Sequence, residues 1–147
     1  MKTTDQPIVV EQLFEVSPTE LWNAITQREQ MNHWFFENIE AFEPKVGFET
    51  RFVVESNHRT FPHRWKITEV EPLKRITYNW CYDGYAGDSL VTFELTEQGK
   101  NIRLVLTHTT TKDFPSNIPE FTRKSCIGGW NYFIKESLIN YIQSIRR

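Results

Sequence analysis

The sequence predicts an α+β domain in which a curved, six-stranded antiparallel sheet wraps around one long C-terminal helix. The segment 128–147 has apolar residues at steps of three and four, which is typical of a helix with one broad apolar face. Six upstream segments instead alternate apolar and polar residues, as half-buried strands do. Short turn-forming stretches join most of these segments, and such connections pair neighbouring strands antiparallel in a meander.

Length and charge limit the functional classes. A chain of 147 residues is long enough to bury roughly 70% of its unfolded surface, so we expect a single domain spanning 1–147. Seventeen basic and nineteen acidic side chains give a net charge of −2, which argues against a nucleic-acid surface or a polybasic membrane anchor. No segment approaches a membrane span and the polar start is no signal peptide, so we expect a cytoplasmic protein.

The first elements are a strand and two short helices. Residues 8–16 alternate as a strand, although Gln12 interrupts the apolar side. Ser17, Pro18 and Glu20 then form a helix start, because Ser17 can cap the free amides, Pro18 suits the first turn and Glu20 completes a capping box. A second short helix is predicted over 28–36, with the break placed near Thr26.

Five further strands follow, at 48–55, 61–70, 75–82, 90–96 and 101–110. The stretch 56–60 is predicted to be a hairpin loop. Glu94 and Arg103 lie in neighbouring strands and are predicted to form a solvent-facing pair across them. The connection 111–125 leads to the last helix, with a helical turn predicted at 120–124.

Aromatic residues make up 14% of the chain, and we expect some of them to line a cavity, because one helix does not fill a strongly curved sheet. Each of these residues is also compatible with an ordinary core position. Hydroxyls of Tyr78 and Tyr141, together with His108, would suit an apolar molecule with one or two polar groups. The predicted cavity wall consists of Trp65, Tyr78, Trp80, Phe93, His108, Trp130, Phe133, Ile134 and Tyr141.

His63 and His108 are the candidate catalytic residues. Each shares a strand face with large apolar neighbours, so each is placed to act as a proton donor or acceptor, or to orient a ligand. The alternative is a structural histidine, hydrogen-bonded near a strand end. His33 and His58 are expected to face solvent.

Other chemistry finds little support in the sequence. Cys81 and Cys126 are far apart and form no C-x-x-C pattern, so we expect two free, mostly buried thiols. No compact spacing of metal ligands occurs and no G-x-S-x-G elbow is present, so neither a metal nor another cofactor is predicted. Gly128 and Gly129 lack the rest of a phosphate-loop pattern and are expected to allow close approach at the helix start.

The order of these elements and a set of dispersed residues carry a family resemblance. The residues are Phe14, Ser17, Pro18, Leu21, Trp22, Trp34, Gly47, Glu69, Val70, Pro72, Ile76, Tyr78, Trp80, Val91, Phe93, Leu95, Leu104, Leu106, His108, Gly129, Trp130 and Leu138. In this order and spacing, over about 8–145, the chain resembles the helix-grip START-like superfamily (SRPBCC). It is most similar to the branch of the activator-of-heat-shock-protein-90-ATPase homologues.

The resemblance implies a helix-grip fold with a deep apolar cavity, which in relatives holds lipids, polyketides or other apolar molecules. The eukaryotic cochaperone that names the branch has a further N-terminal domain that engages the chaperone, and this chain is too short to contain one. The Gln12 position and the segment 111–126 also depart from the family pattern.

Three functional hypotheses follow. The favoured one is a non-enzymatic module that binds a small hydrophobic ligand between sheet and helix. The second is a cyclase-like or hydratase-like enzyme that uses His63 or His108 as general acid or base. The third, motivated by the resemblance alone, is an interaction domain with a chaperone partner. Both a monomer and a homodimer are compatible with the sequence.

Overall fold

The computed structural model describes residues 1–146. The first elements are β1 (Ile8–Phe14), α1 (Pro18–Thr26), α2 (Arg28–Trp34), β2 (Glu49–Ser56), β3 (Arg59–Glu71) and β4 (Arg75–Tyr82). They are followed by β5 (Asp88–Gln98), β6 (Asn101–Lys112), a 3₁₀ turn (Pro119–Phe121), α3 (Arg123–Tyr132), a π-helical segment (Phe133–Ser137) and α4 (Leu138–Ile145). The last three are continuous in helical conformation and are called the C-terminal helix.

The sheet is fully antiparallel, with the strand order β1-β6-β5-β4-β3-β2. Strands β2 to β6 form the predicted meander, since each pairs with the next strand along the chain. β1 does not pair with β2 but with β6 at the other edge, where Ile8 lies opposite His108 and Phe14 opposite Ile102. The two helices between β1 and β2 make this crossover possible because they carry the chain from one sheet edge to the other. The α+β helix-grip prediction is confirmed.

The predicted start of α1 is confirmed. The Glu20 amide donates to Ser17 Oγ at 3.1 Å, and the Ser17 amide donates to Glu20 Oε1 at 3.3 Å. These two bonds form the capping box, with Pro18 at the first helical position. The predicted break is also found, because α1 ends at Thr26 and Gln27 has extended backbone angles before α2 begins.

The hairpin between β2 and β3 is tighter than predicted. Ser56 and Arg59 pair as strand residues, so the turn contains only Asn57 and His58 instead of the stretch 56–60. Both turn residues have positive φ, 51° and 66°, as a type I′ turn requires. Asn tolerates this conformation better than most residues, which allows the strands to extend to the turn.

The predicted pair of Glu94 and Arg103 is wrong. The register places Arg103 opposite Thr96, so the two side chains do not meet. Glu94 Oε2 instead accepts a hydrogen bond from Arg75 Nε at 2.8 Å, and Arg103 lies 3.4 Å from Glu11 Oε2 across the β1–β6 pair.

The C-terminal helix begins five residues earlier than predicted. Thr122 Oγ1 accepts a hydrogen bond from the Ser125 amide at 3.2 Å and caps the helix ahead of Arg123. The predicted turn at 120–124 is therefore divided between the 3₁₀ turn and the first turn of the helix. The predicted helix end at Arg147 lies outside the described residues. No helix of residues 1–146 is both long and apolar enough to cross a bilayer.

The connection between β6 and the C-terminal helix forms a small second core. Its Phe114 and Phe121 have ring centroids 5.3 Å apart, and Phe121 lies 5.4 Å from Phe61 of β3. Gly87 makes room for this contact, because its φ is 109° and a Cβ at this position would overlap the Phe114 ring. The connection therefore covers one end of the space between the sheet and the C-terminal helix.

Candidate functional site

A pocket of about 340 Å³ lies between the inner face of the sheet and the first half of the C-terminal helix. This volume is within the usual range for small-molecule sites and far exceeds the roughly 30 Å³ that one water occupies. Its apolar and aromatic wall consists of Met1, Phe36, Val54, Phe61, Trp80, Tyr82, Phe121, Trp130 and Phe133. Its remaining lining residues are Ser56, His63, His108, Glu120, Ser125, Cys126 and Gly129.

Phe35 packs behind the pocket, in the middle of the space between sheet and helix, and is not itself a lining residue. It follows α2 directly and is 8% exposed. Its ring centroid lies 4.8 Å from that of Phe133 on the helix, 5.4 Å from Trp65 and 6.3 Å from Phe93 on the sheet. Phe35 therefore belongs to the solid core behind the pocket, and the pocket lies on the side of the 3₁₀ turn, whose Phe121 forms part of its wall.

Four of the nine predicted wall residues line this pocket: Trp80, His108, Trp130 and Phe133. Five do not line it: Trp65, Tyr78, Phe93, Ile134 and Tyr141. Trp65, Tyr78, Phe93 and Ile134 are at most 1% exposed and belong to the main core. Tyr141 lies farther along the helix, where its hydroxyl donates to Gln30 Oε1 at 3.1 Å. The prediction was too wide because strand alternation identifies a face but does not show which part of it another ring covers.

Several lining residues were absent from the predicted site. Tyr82 and Phe61 continue strand faces already recognised, with Trp80 and His63 respectively, so the same alternation was sufficient to find them. Phe36 and Phe121 lie in irregular or 3₁₀ backbone, where no periodicity identifies the inward side. Their contribution depends on the tertiary fold.

His108 has a defined tautomer. Trp130 Nε1 donates a hydrogen bond to His108 Nδ1 at 2.9 Å. Because an indole nitrogen can only donate, Nδ1 holds the lone pair and the imidazole proton sits on Nε2. Within residues 1–146, Nε2 is buried without a hydrogen-bond partner. Burial lowers the pKa of His108 to about 4, with a smaller effect from the α-amino group of Met1, so the ring is neutral at pH 7.

His63 has the opposite tautomer. Its Nδ1 lies 3.0 Å from the Phe61 carbonyl oxygen. Because a carbonyl can only accept, Nδ1 carries the proton and Nε2 presents a lone pair. Burial lowers the pKa of His63 to about 4, although the Phe61 bond opposes this effect. His63 is therefore also neutral at pH 7.

Tyr82 adds a second hydrogen-bond donor. Its hydroxyl oxygen accepts a hydrogen bond from Trp80 Nε1 at 2.9 Å, and the described part of the chain offers no acceptor for its proton. Burial raises the pKa of Tyr82, so the hydroxyl stays protonated. Its ring meets the His63 ring edge-on at a centroid distance of 4.6 Å, which places this donor close to the His63 side of the pocket.

Cys126 does not have the character of a nucleophile. Both cysteines are free thiols, as predicted. Cys126 Sγ lies 3.2 Å from His108 Nδ1, but burial raises the pKa of Cys126 to about 12, so the thiolate needed for attack is scarce at neutral pH. Cys81 accepts a hydrogen bond from Arg64 Nη2 at 2.9 Å and is not a lining residue.

Glu120 forms a polar rim at the pocket. Its Oε2 accepts hydrogen bonds from Ser56 Oγ and Asn57 Nδ2, each at 3.0 Å. Its Oε1 lies 3.5 Å from Arg59 Nη1. These contacts hold the 3₁₀ turn to the β2–β3 hairpin, and the hydrogen bonds to the carboxylate lower the pKa of Glu120.

The other two histidines, His33 and His58, are exposed, as predicted. His33 stacks on Tyr141 at a centroid distance of 5.5 Å. In the part of the chain that the structure describes, no three His, Cys, Asp or Glu side chains converge in the manner of metal ligands.

Solved structures of similar fold extend over nearly the whole chain. Protein MLL2253 from Mesorhizobium loti is 25% identical with a TM-score of 0.72, over 95% of this chain and 98% of that one. The Aha1 dimer from Colwellia psychrerythraea is 21% identical with a TM-score of 0.70, over 94% and 96%. DynU16, from the dynemicin biosynthetic locus, is 21% identical with a TM-score of 0.72, and the chain covers 48% of its length.

The comparison with curated proteins gives no significant match. At these identities the structural neighbours show the fold. The family is shown by a sequence model, described as activator of Hsp90 ATPase homolog 1-like protein, which matches residues 15–143. Because this match covers most of the sequence, the chain belongs to the family of activator of Hsp90 ATPase homolog 1-like proteins.

Proposed function

We propose that this chain binds one small, mainly apolar molecule in the pocket between the sheet and the C-terminal helix, and that it does so without chemical conversion. The observation that carries the proposal is a pocket of about 340 Å³ whose wall is mostly aromatic and also includes His108, the Nε2 of which is buried without a hydrogen-bond partner among the described residues. Leaving a buried polar group unpaired costs about 1–3 kcal/mol. A bound molecule that pairs with it removes this cost while its apolar part leaves water.

The family and its fold support a ligand-binding domain whose role is open. The proposal is made for a monomer and for a homodimer alike. A homodimer has a precedent in the Colwellia Aha1 structure. The two free thiols are in keeping with the reducing cytoplasm, where we expect the protein to act.

An enzyme of the cyclase or hydratase kind is the second candidate, because both His63 and His108 line the pocket. General acid–base catalysis works best with a group whose pKa lies near the working pH. Both imidazoles have a pKa of about 4, and Glu120 already binds Ser56 and Asn57. The site is therefore better suited to hydrogen bonding than to proton transfer. A chaperone partner is suggested by the family description alone.

Two neighbouring glycines allow a matched test. A Cβ at either Gly128 or Gly129 meets open space, but only Gly129 lines the pocket. Leucine favours a helix over glycine by nearly 1 kcal/mol. We therefore expect Gly129→Leu and Gly128→Leu to be at least as stable as the wild type, while only Gly129→Leu fills the pocket.

The measurement is titration of the neutral dye Nile red, followed by its own emission and by energy transfer from tryptophan. The wild type and Gly128→Leu are expected to bind it saturably in a 1:1 ratio, and Gly129→Leu at least tenfold more weakly. Equal affinity in all three proteins, or no saturable binding by the wild type, would refute the proposal. Native mass spectrometry of freshly purified protein would identify a retained natural ligand.

A further inference from the structure

The two pocket histidines offer opposite hydrogen-bonding groups. Trp130 holds His108 with a proton on Nε2, whereas the Phe61 carbonyl holds His63 with a lone pair on Nε2. Both rings are 5% exposed, and both line the same pocket. His108 therefore needs a hydrogen-bond acceptor on the ligand, and His63 needs a hydrogen-bond donor.

Both histidines lie near the indole ring of Trp80, whose strand lies between theirs in the sheet. Trp80 is on β4, which the strand order places between β3 with His63 and β6 with His108. Its ring centroid is 5.7 Å from that of His63 and 6.1 Å from that of His108. A flat sheet would separate β3 from β6 by roughly 14 Å, so its curvature turns both imidazoles toward Trp80. Because the two imidazoles call for different partners, we take the ligand to carry two polar groups, one for each ring.

Two charged groups line the pocket, the Glu120 carboxylate and the α-amino group of Met1, and they carry opposite charges. Glu120 Oε1 has no hydrogen-bond partner among the described residues but lies 3.5 Å from Arg59 Nη1, and the α-amino group of Met1 donates to the Phe121 carbonyl oxygen at 2.7 Å. The imidazoles are neutral, and Cys126 and Tyr82 are protonated. A buried charge needs an opposite charge to offset its desolvation, so the site favours an uncharged ligand.

Resting on the proposed function, we infer that the pocket selects a neutral aromatic hydroxy-carbonyl compound. Its carbonyl oxygen accepts a hydrogen bond from His108 Nε2, and its hydroxyl group donates to His63 Nε2. The apolar frame between the two groups packs on Trp80, and the Tyr82 hydroxyl supplies a further donor beside His63. The aromatic wall excludes fully polar molecules, and the two tautomers exclude ligands that lack either polar group.

A set of naphthalene probes tests this inference on the wild-type protein. The reference is 6-hydroxy-2-acetylnaphthalene, which has both groups and is fluorescent. In 6-methoxy-2-acetylnaphthalene the hydroxyl donor is lost, in 6-ethyl-2-naphthol the carbonyl is lost, and 6-hydroxy-2-naphthoic acid carries a charge. Each change leaves a buried polar atom unpaired or a charge uncompensated, so we expect each analogue to bind about tenfold more weakly or worse.

A residue variant assigns the donor contact. In His63→Leu the acceptor is absent, so the hydroxy and methoxy probes are expected to bind with equal affinity. A persistent preference for the hydroxy probe in this variant would refute the assignment to His63. Equal binding of all four probes by the wild type, with Gly129→Leu still abolishing binding, would overturn the ligand class and leave the proposed function standing.

Nitrogen-15 NMR of the imidazoles tests the basis of the inference without any variant. At pH 7 the free protein should show the proton on Nε2 of His108 and on Nδ1 of His63. Identical tautomers for the two residues would overturn the inference even if a probe binds. Whether a ligand binds in this pocket at all is tested separately, by the weaker probe binding expected of Gly129→Leu.

Discussion

Removing the Phe35 side chain is expected to destabilise the protein and to enlarge the pocket. The ring is 8% exposed, and it contacts Phe133 at 4.8 Å and Trp130 at 5.8 Å between centroids. Replacing a core phenylalanine with alanine typically costs 3–5 kcal/mol. A domain of this size is stable by about 5–15 kcal/mol, so Phe35→Ala should lose a large share of its stability and still fold.

The assay is urea unfolding followed by tryptophan fluorescence, with Tyr132→Ala as the control. Tyr132 is 54% exposed on the C-terminal helix, and its loss should change the free energy of unfolding by less than about 0.5 kcal/mol. An apolar cavity of aromatic size binds benzene, so benzene should raise the melting temperature of Phe35→Ala more than that of the wild type. If Phe35→Ala lowers the free energy of unfolding by less than about 1 kcal/mol, the role assigned to Phe35 is refuted. If benzene raises the melting temperatures of Phe35→Ala and the wild type equally, the substitution has not enlarged the pocket.

Two further predictions concern buried polar groups. Tyr78→Phe should raise the free energy of unfolding by about 1–2 kcal/mol, because the Tyr78 hydroxyl is buried without a partner among the described residues; a destabilised variant in urea unfolding would contradict this. The free energy of unfolding should also fall as the pH is lowered from about 6.5 to 4. His63 and His108 have pKa values of about 4 in the folded protein, so in this range they take up protons in the unfolded state but not in the folded state. Each histidine contributes up to roughly 3 kcal/mol to this loss, and urea unfolding at pH 7, 5.5 and 4.5 should show a shallower dependence for His63→Gln.

Much of the fold follows from local patterns. The strand 75–82 was predicted with the bounds that β4 has, because its alternation is uninterrupted. The start of α1 was equally clear, since a capping box is made by residues three apart and needs no distant partner. Element bounds failed where the decisive residue gave a weaker local signal, as with Thr122 at the start of the C-terminal helix and Asn57 in the hairpin turn.

The candidate site was predicted less completely. Alternation placed His63 and His108 on the inner face of the sheet, and both line the pocket. Alternation also assigned Trp65 and Phe93 to the pocket wall, although Phe35 covers both. The sequence places Phe35 in the predicted helix 28–36, and only its position in space shows that it fills the core behind the pocket.

The sequence alone determined the type and order of the strands and helices, the antiparallel pairing of β2 to β6 and the inward face of each strand, because these depend on residues close in the chain. Only the tertiary structure decided the position of β1 beside β6, the extent of the pocket and the tautomers of its histidines. The tautomer of His108 depends on Trp130, which is 22 residues away. The extent of the pocket depends on two rings that follow α2, since Phe36 lines the pocket and Phe35 fills the core behind it. Such contacts between distant segments leave no regular spacing in a single sequence, and they decide which polar atoms remain free for a ligand.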